Sequence, residues 1–261
     1  MRFQSFSSSC RNQVARVARG LYSAWPRALN VALPNLCALC GNMSHKTLCD
    51  GCDAAYWNES RLRCSVCAVP LPASRWVAQA RYRCADCVAE PPSFDASFAL
   101  ADYRAPLDTL AVGLKFRARL MLARDFAQRL ARLARDNWRD AAERPDVIAP
   151  VPLASRRLVE RGYNQAWQIA RPLAGALAVR SDATLLERTL DTVPQSRLDL
   201  DARRHNVGRA FRIARPVRGS HVGIVDDVMT SGATLEALAH TLKAAGARRV
   251  TNFVALRTPK N

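Results

Sequence analysis

The chain has 261 residues, of which 49% are hydrophobic, and a formal net charge of +17. This length and composition exclude a disordered protein and allow one sizeable core with a smaller module, or two modest domains. The positive charge, which comes mostly from arginine, favours partners that carry phosphate, such as nucleotides, nucleic acid or an anionic membrane surface. The charge alone does not choose among them.

The sequence offers no membrane span, because no stretch approaches the roughly 18 uninterrupted apolar residues that a spanning helix needs. Arginines interrupt the first 35 residues, which excludes the apolar core of a secretory signal. The same arginine- and serine-rich start could be read as a mitochondrial transit peptide. We expect a cytoplasmic protein.

Residues 1–36 form the first predicted segment, a basic amphipathic stretch. Apolar residues recur at helical spacing over residues 14–25, with arginines and polar residues on the opposite side. Pro26 forces the preceding residue away from helical geometry, so a second short helix or a kinked continuation follows. The predicted helix could pack against the body of the protein or lie on an anionic membrane, and we favour packing.

Residues 37–92 form the second predicted segment, which contains eight of the nine cysteines. A Cys-x-x-Cys turn directs two thiolates to one point, and two such turns complete the tetrahedral shell of a zinc ion. The segment therefore predicts a double zinc ribbon with two structural Zn²⁺ ions. The eight expected ligands are Cys37, Cys40, Cys49, Cys52, Cys64, Cys67, Cys84 and Cys87.

Two questions about the cysteines stay open in the sequence. Disulfides or redox dithiols are the alternative to zinc, although repeated pairs in an intracellular protein are more often metal sites. The spacing also does not say whether adjacent pairs share a zinc ion or interleave. Cys10 stands outside the pattern as a plain thiol, and His45 is expected to be a loop residue.

Residues 93–261 form the third predicted segment, which begins after Glu90-Pro91-Pro92. Short apolar runs alternate there with helical patterns, which indicates an α/β domain with a mostly parallel sheet. The predicted strands are residues 97–103, 146–149, 221–225 and 249–256, and the predicted helices are residues 107–116, 120–142, 165–178 and 233–245.

The stretch GIVDDVMTSGAT, residues 223–234, combines two adjacent carboxylates with a hydroxyl-rich turn. In a parallel sheet, ligands bind at the carboxyl ends of strands, where Asp226 and Asp227 are expected to lie. Neighbouring carboxylates can accept hydrogen bonds from a vicinal diol, and the backbone N–H groups before a helix can surround a phosphate. The predicted phosphate-binding residues are Thr230, Ser231, Gly232, Ala233 and Thr234. Capping of the turn by the two acids is the structural alternative.

This stretch resembles the phosphoribosyl pyrophosphate motif of type I phosphoribosyltransferases, with Ser231 where most relatives have threonine. More of the chain is similar to one branch, the ComF/GntX family, which joins cysteine turns to a phosphoribosyltransferase-like domain. The similar segments are residues 149–166, residues 188–211 and Leu114-Lys115-Phe116. The resemblance covers nearly everything from Cys37 onward and implies a type I phosphoribosyltransferase-like parallel sheet with helices on both faces.

The resemblance also implies roles for particular residues. Asp226 and Asp227 would be catalytic and would bind the ribose, while Arg156 and Arg157 would bind pyrophosphate. Residues 195–206 correspond to a flexible region that closes over substrate in related enzymes, and Arg203 and Arg204 could shield departing pyrophosphate there. Arg161, Asn164 and Gln165 either line the same cleft or hold its loop, and the role of Lys115 is equally open.

The implied ligand is phosphoribosyl pyrophosphate with Mg²⁺, or a nucleotide, and the acceptor of a transfer reaction is not readable. Purine-salvage relatives carry an aspartate where this chain has Thr230, so we expect no salvage of 6-oxopurines. Family members are linked to DNA uptake and use. The alternative is therefore a non-catalytic competence factor that binds single-stranded DNA or DNA-processing proteins and uses the fold as a ligand sensor. A homodimer is also consistent with the resemblance.

Overall fold

The computed structural model describes residues 35–57, 61–72, 80–189 and 210–259. The chain divides into two compact units, Met1–Asp53 and Ala54–Asn261. The amphipathic segment predicted at residues 1–36 lies, apart from its last two residues, outside the described residues. Cys10, Arg203, Arg204 and the predicted flexible region at residues 195–206 also lie outside them.

The first unit is built around a small cysteine-rich hairpin. Strand β1 (Asn35–Leu36) pairs in antiparallel register with β2 (Met43–Ser44), and helix α1 (Asp50–Tyr56) follows. The turn between the strands includes Gly41, whose positive φ of 76° suits glycine. Cys37, Leu48 and Cys52 are buried. The core of this unit is therefore small, and two of these three buried side chains are cysteines.

The second unit contains a five-stranded parallel sheet. Its strands are β3 (Ala96–Asp102), β4 (Val147–Pro150), β5 (Arg180–Ser181), β8 (His221–Met229) and β9 (Arg249–Arg257), in the order β3-β9-β8-β4-β5. A separate antiparallel pair consists of β6 (Leu186–Arg188) and β7 (Phe211–Ile213). The central strands β8 and β9 are buried along nearly their whole length because both of their faces are covered.

Helices cover both faces of this sheet. The helices of this unit are α2 (Ala85–Ala89), α3 (Asp108–Phe116), α4 (Met121–Asn137), α5 (Ser155–Arg161), α6 (Gln165–Leu177) and α7 (Ala233–Ala244), with a 3₁₀ turn at Ala141–Glu143. Helix α5 buries none of its residues and is not part of this cover. Helix α7 packs with Val222 and Ile224 in one buried cluster, whereas α6 packs against β4, β8 and α4. None of the helices in the described ranges is both long and apolar enough to cross a bilayer.

The second group of cysteines packs with the sheet. Cys64, Cys67 and Cys87 belong to the same buried cluster as Val222 of β8 and Leu238 of α7. This part of the cysteine-rich region therefore shares a core with the α/β unit. The division of the chain at residues 36 and 92 stays a prediction.

Two predicted boundaries were wrong. The strand predicted at residues 221–225 continues to Met229, because β9 pairs with it as far as the Met229–Arg257 partnership, so Asp226 and Asp227 lie within the strand. The helix predicted at residues 120–142 ends at Asn137. Trp138 is extended there, and the Asp140 carboxylate accepts a hydrogen bond from the Ala142 N–H at 2.8 Å, which starts a separate 3₁₀ turn.

Gly223 of β8 provides a test of the central packing. A Cβ atom at this position would lie 2.8 Å from Ile148 Cδ1 and 3.0 Å from Phe253 Cε2, both buried. We expect Gly223→Ala to lower the free energy of unfolding by about 1–3 kcal/mol through overpacking. Gly175→Ala is the matched control, because a Cβ there meets no atom within 4 Å inside α6. It should stabilise by up to about 1 kcal/mol. Equal denaturant midpoints for the two variants would contradict this packing.

Candidate functional site

Asp226 and Asp227 lie near the carboxyl end of β8, at the edge of the sheet where the central strands end. Asp227 is buried and Asp226 is partly buried. The backbone N–H of Asp227 donates to Asp226 Oδ1 at 2.9 Å. Two carboxylates are therefore held side by side in a place where water solvates them poorly.

Lys115 compensates part of this negative charge. It lies in the last turn of α3, and its Nζ is 3.0 Å from Asp227 Oδ2. Gln165 Nε2, at the start of α6, donates to Asp227 Oδ1 at 3.5 Å. The Tyr163 hydroxyl donates to the Leu114 carbonyl, which joins the loop before α6 to the end of α3. Two helices distant in sequence thus meet at the acid pair.

The pKa of Asp226 is raised well above its usual value. Burial is the largest cause, and the neighbouring charge of Asp227 adds to it, while the charge of Lys115 acts in the opposite direction. The charged form of Asp226 is therefore costly in the ligand-free protein. Groups that donate hydrogen bonds to this carboxylate would relieve that cost.

The turn after β8 presents backbone donors to solvent. Gly232 has a φ of 88°, a backbone conformation that favours glycine, and a Cβ on it would also lie 2.7 Å from Met229 Cε, at the flexible end of that side chain. Helix α7 begins at the next residue, and the Ala233 N–H is 3.4 Å from Ser231 Oγ. Thr230, Ser231, Ala233 and Thr234 are exposed. The start of a 12-residue helix, with its N–H groups accessible, suits an anion.

A cavity of about 760 Å³ adjoins this edge of the sheet and includes Asp226, Asp227 and Thr234 in its wall. Its charged lining also contains Glu160 and five cationic side chains, so the cations exceed the acids by two. The cations are Lys115, Arg117, Arg157, Arg161 and Arg188. A basic cavity with an acidic pair at one side can take a ligand that has both phosphates and hydroxyl groups.

The residues that were predicted to bind pyrophosphate, or to line the same cleft, have different positions in the structure. Arg157 lines the cavity, whereas the exposed Arg156 pairs with Glu160 at 2.8 Å. Gln165 also lines the cavity. Asn164 instead caps α6, where its Oδ1 accepts from the Ala166 N–H at 2.9 Å and its Nδ2 donates to the Val151 carbonyl at 3.0 Å.

Arg161 both lines the cavity and packs over the Phe116 ring, 5.3 Å from its centroid. Arg117 and Arg188 were missed by sequence reasoning. They lie at the ends of α3 and β6, and no local pattern distinguishes them from the many surface arginines of the chain. Only the tertiary fold brings them to the same cavity.

The cysteines form two clusters, each made from pairs that are adjacent in sequence. Cys37, Cys40, Cys49 and Cys52 form the first, and Cys64, Cys67, Cys84 and Cys87 form the second, with all sulfur atoms of a cluster within 4.8 Å of one another. The Sγ atoms of Cys40 and Cys49 are 3.7 Å apart, and those of Cys67 and Cys84 are 3.6 Å apart. Tetrahedral Zn–S bonds of about 2.3 Å require about 3.8 Å.

The protonation of the thiols fits a metal site as well. A hydrogen bond from Cys67 is the main cause that lowers the pKa of Cys64 to about 4, whereas burial raises the pKa of Cys87 to about 12. One thiolate therefore forms readily in the second cluster, while the raised pKa values of Cys67 and Cys87 oppose ionisation of those two thiols. A divalent cation would stabilise all four thiolates. These are two structural zinc sites, and the interleaved arrangement is excluded.

The two clusters predict the zinc stoichiometry. We expect two zinc ions per chain by elemental analysis, and one ion in each of Cys40→Ser and Cys84→Ser, because each variant leaves one complete set of four cysteine ligands. His45→Ala, which changes an exposed residue outside both clusters, should retain two ions. Loss of both ions from either cysteine variant would contradict independent sites.

The raised pKa of Asp226 predicts how the stability of the folded protein changes with pH. Its pKa is higher in the folded protein than in the unfolded chain, so its contribution favours folding at low pH and is lost as the pH rises through the folded pKa. Asp226→Asn should therefore raise the melting temperature of the ligand-free protein at pH 8, and by less at pH 5.5. Asp227→Asn should lower it at pH 8, because Lys115 loses its charged partner. A lower melting temperature for Asp226→Asn at pH 8 would disprove this.

Comparison with known protein families gives two matches. Residues 120–260 match the phosphoribosyl transferase domain, and residues 28–88 match the double zinc ribbon domain. Among solved structures, a purine phosphoribosyltransferase from Pyrococcus horikoshii is similar over 52% of this chain and 82% of that chain, with 20% identity and a TM-score of 0.32. The family assignment rests on the sequence matches.

Curated relatives match over most of their length. The DNA utilization protein YhgH of Salmonella typhimurium is 34% identical over 87% of this chain and 99% of its own length. Competence protein F of Haemophilus influenzae is 31% identical over 78% of this chain and 87% of its own length. The chain therefore belongs to the ComF/GntX family, in which a double zinc ribbon is joined to a phosphoribosyltransferase-like domain.

Proposed function

We propose that this protein binds phosphoribosyl pyrophosphate, or a nucleotide with the same ribose 5-phosphate, at the carboxyl edge of its sheet. One observation carries the proposal. The paired carboxylates of Asp226 and Asp227 and the exposed turn from Thr230 to Thr234 lie on consecutive parts of one chain segment, beside a cavity rich in cations. A phosphorylated ribose has a vicinal diol that can donate hydrogen bonds to the carboxylates and a phosphate dianion that the turn can bind.

The two halves of this segment have separate tasks. Asp226 and Asp227 accept hydrogen bonds from the ribose hydroxyls, which also relieves the unfavourable charge on Asp226. The N–H groups and hydroxyls from Thr230 to Thr234 surround the 5′-phosphate at the positive end of α7. Gly232 allows the backbone to approach the phosphate closely.

The pyrophosphate group belongs to the basic side of the cavity. Arg157 and Arg161 can each offer two parallel N–H donors to phosphate oxygens, and Lys115 supplies a point charge between the acid pair and the anion. Arg156 is directed to Glu160 in the ligand-free protein and contributes from the rim. Mg²⁺ would enter on the ligand's own oxygen atoms, because it prefers hard oxygen ligands and retains waters.

The chemistry that such a site supports is pentosyl transfer. Pyrophosphate leaves the ribose C1 as positive charge develops on the sugar, and the chain contributes by orientation and by stabilising charge on the leaving group. No covalent nucleophile is required. The nucleophilic atom of an acceptor forms the new bond to C1 as the bond to pyrophosphate breaks.

The relatives suggest a cellular role in DNA utilisation or competence, as their names state for those proteins. We propose the same role for this chain, with single-stranded DNA or DNA-processing proteins as partners of its basic, zinc-containing parts. A cytoplasmic location agrees with this role, since free thiolates for zinc are kept reduced there.

Calorimetry with phosphoribosyl pyrophosphate and Mg²⁺ tests the proposed ligand. We expect saturable binding to the native chain and a loss of about 10²-fold or more in affinity for the double variant Asp226→Asn, Asp227→Asn, because two charge-assisted hydrogen-bond acceptors are lost. Asp136→Asn, an exposed position on α4, is the control and should bind like the native chain.

The arginines give a finer comparison in the same experiment. Arg157→Gln should weaken binding by about tenfold, since Arg157 lines the cavity, and Arg156→Gln should weaken it less. Unchanged affinity in the double aspartate variant would refute the site, and a stronger effect at Arg156 than at Arg157 would refute the assigned pyrophosphate side.

A further inference from the structure

Arg257 is a buried cation at the end of β9. It is 1% exposed and is the largest of the fully buried side chains. Its Nε donates to the Cys67 carbonyl at 2.9 Å, and its Nη1 donates to the carbonyls of Met229 at 3.0 Å, Thr258 at 2.8 Å and Thr230. All of these hydrogen bonds from the guanidinium end on backbone carbonyls.

The carbonyls that Arg257 contacts come from two sites. Cys67 belongs to the second zinc cluster, and Met229 and Thr230 connect the acid pair to the phosphate-binding turn. The Thr258 N–H also donates to the Met229 carbonyl at 3.0 Å, so the backbone after β9 supports the same junction. One side chain thus bridges a zinc ligand and the entry to the turn.

The positive charge of Arg257 is opposite in sign to the net charge of the second zinc centre. A guanidinium stays protonated in proteins, and its burial is costly unless negative charge lies close by. Four thiolates around one Zn²⁺ carry a net charge of about −2. The second zinc centre can therefore balance Arg257 electrostatically, while the metal fixes the position of the Cys67 carbonyl that Arg257 contacts.

Arg63 is a second arginine that contacts the backbone beside the second zinc cluster, and it provides a comparison. Its Nη1 donates to the Ala68 carbonyl at 3.1 Å and its Nη2 to Asp102 Oδ1 at 2.7 Å. It thereby fixes the Cys64–Cys67 turn to the end of β3, and these hydrogen bonds do not reach Met229 or Thr230. Arg63 and Arg257 hold the same zinc turn, but of these two only Arg257 also holds the phosphate-binding turn.

We propose that Arg257 is a positioning residue through which the second zinc centre supports the phosphate-binding turn. Zinc at Cys64, Cys67, Cys84 and Cys87 keeps the Thr230–Thr234 turn in its binding conformation. Because this inference rests on the proposed function, zinc and the phosphoribosyl ligand should stabilise each other's binding by the same factor, as linkage requires. The first zinc centre, in the other compact unit, has no part in this coupling.

The test compares the full zinc-loaded chain with Arg257→Lys and with Arg63→Lys as the matched control. Arg257→Lys keeps the charge but cannot reach both sets of carbonyls with a planar fork. We expect two zinc ions in both variants, an affinity for phosphoribosyl pyrophosphate with Mg²⁺ that falls about tenfold in Arg257→Lys, and an affinity within about twofold of the native value in Arg63→Lys.

Two further measurements separate positioning from general stability. Hydrogen exchange in peptides that span residues 228–234 should accelerate in Arg257→Lys and not in Arg63→Lys. The equilibrium affinity of the second centre of the native chain for zinc, measured by competition with a chromophoric chelator, should rise about tenfold when phosphoribosyl pyrophosphate with Mg²⁺ is bound. Cys40→Ser, which lacks the first centre, isolates this signal, and in Arg257→Lys the rise in zinc affinity should disappear.

The outcomes distinguish the two proposals. If the native chain binds the ligand but Arg257→Lys and Arg63→Lys behave alike, the coupling is overturned and the proposed function stands. If the native chain does not bind, the proposed function and the predicted zinc–ligand linkage both fail, and exchange at residues 228–234 alone decides the structural role of Arg257. If Arg257→Lys does not fold, the effect of the ligand on the zinc affinity of Cys40→Ser decides, and an unchanged zinc affinity overturns the coupling.

Discussion

The adjacent carboxyl groups of Asp226 and Asp227 impose the strongest constraint on this structure, because ionisation of both places two negative charges at the end of a buried central strand. The fold compensates only part of that charge. Lys115 pairs with Asp227, and Gln165 donates to it, while the pKa of Asp226 remains raised by burial and by its neighbour. Because the negative charge of the acid pair is only partly compensated in the free protein, a ligand that donates hydrogen bonds to these carboxylates stabilises them.

The same constraint explains the distribution of cations around the edge of the sheet. Lys115 comes from α3, Arg157 and Arg161 from α5, and Arg188 from β6. These elements are far apart in sequence, and the parallel arrangement of β4 and β8 brings the loops after them together. On the other side of the turn, Arg257 joins Met229 and Thr230 to Cys67, so the phosphate-binding segment lies between two supports.

Much of the fold could be predicted from local patterns. The observed β3, α6 and α7 differ by at most one residue at each end from their predicted spans, because apolar runs and helical periodicity are local properties. The length of β8 was underestimated, since carboxylates at Asp226 and Asp227 suggest a loop and the pairing with β9 extends the strand past them. The zinc pairing and the roles of Arg188 and Arg257 depend on tertiary proximity, which spacing does not encode.

We propose that the acid pair and the turn after it hold a ribose 5-phosphate. A crystal structure of the chain grown with Mg²⁺ and phosphoribosyl pyrophosphate tests this most directly. We expect the ribose hydroxyls within hydrogen-bond distance of the Asp226 and Asp227 carboxylates, and the 5′-phosphate on the N–H groups between Ser231 and Thr234. Density for the ligand elsewhere, with these groups contacting only water, would contradict the account.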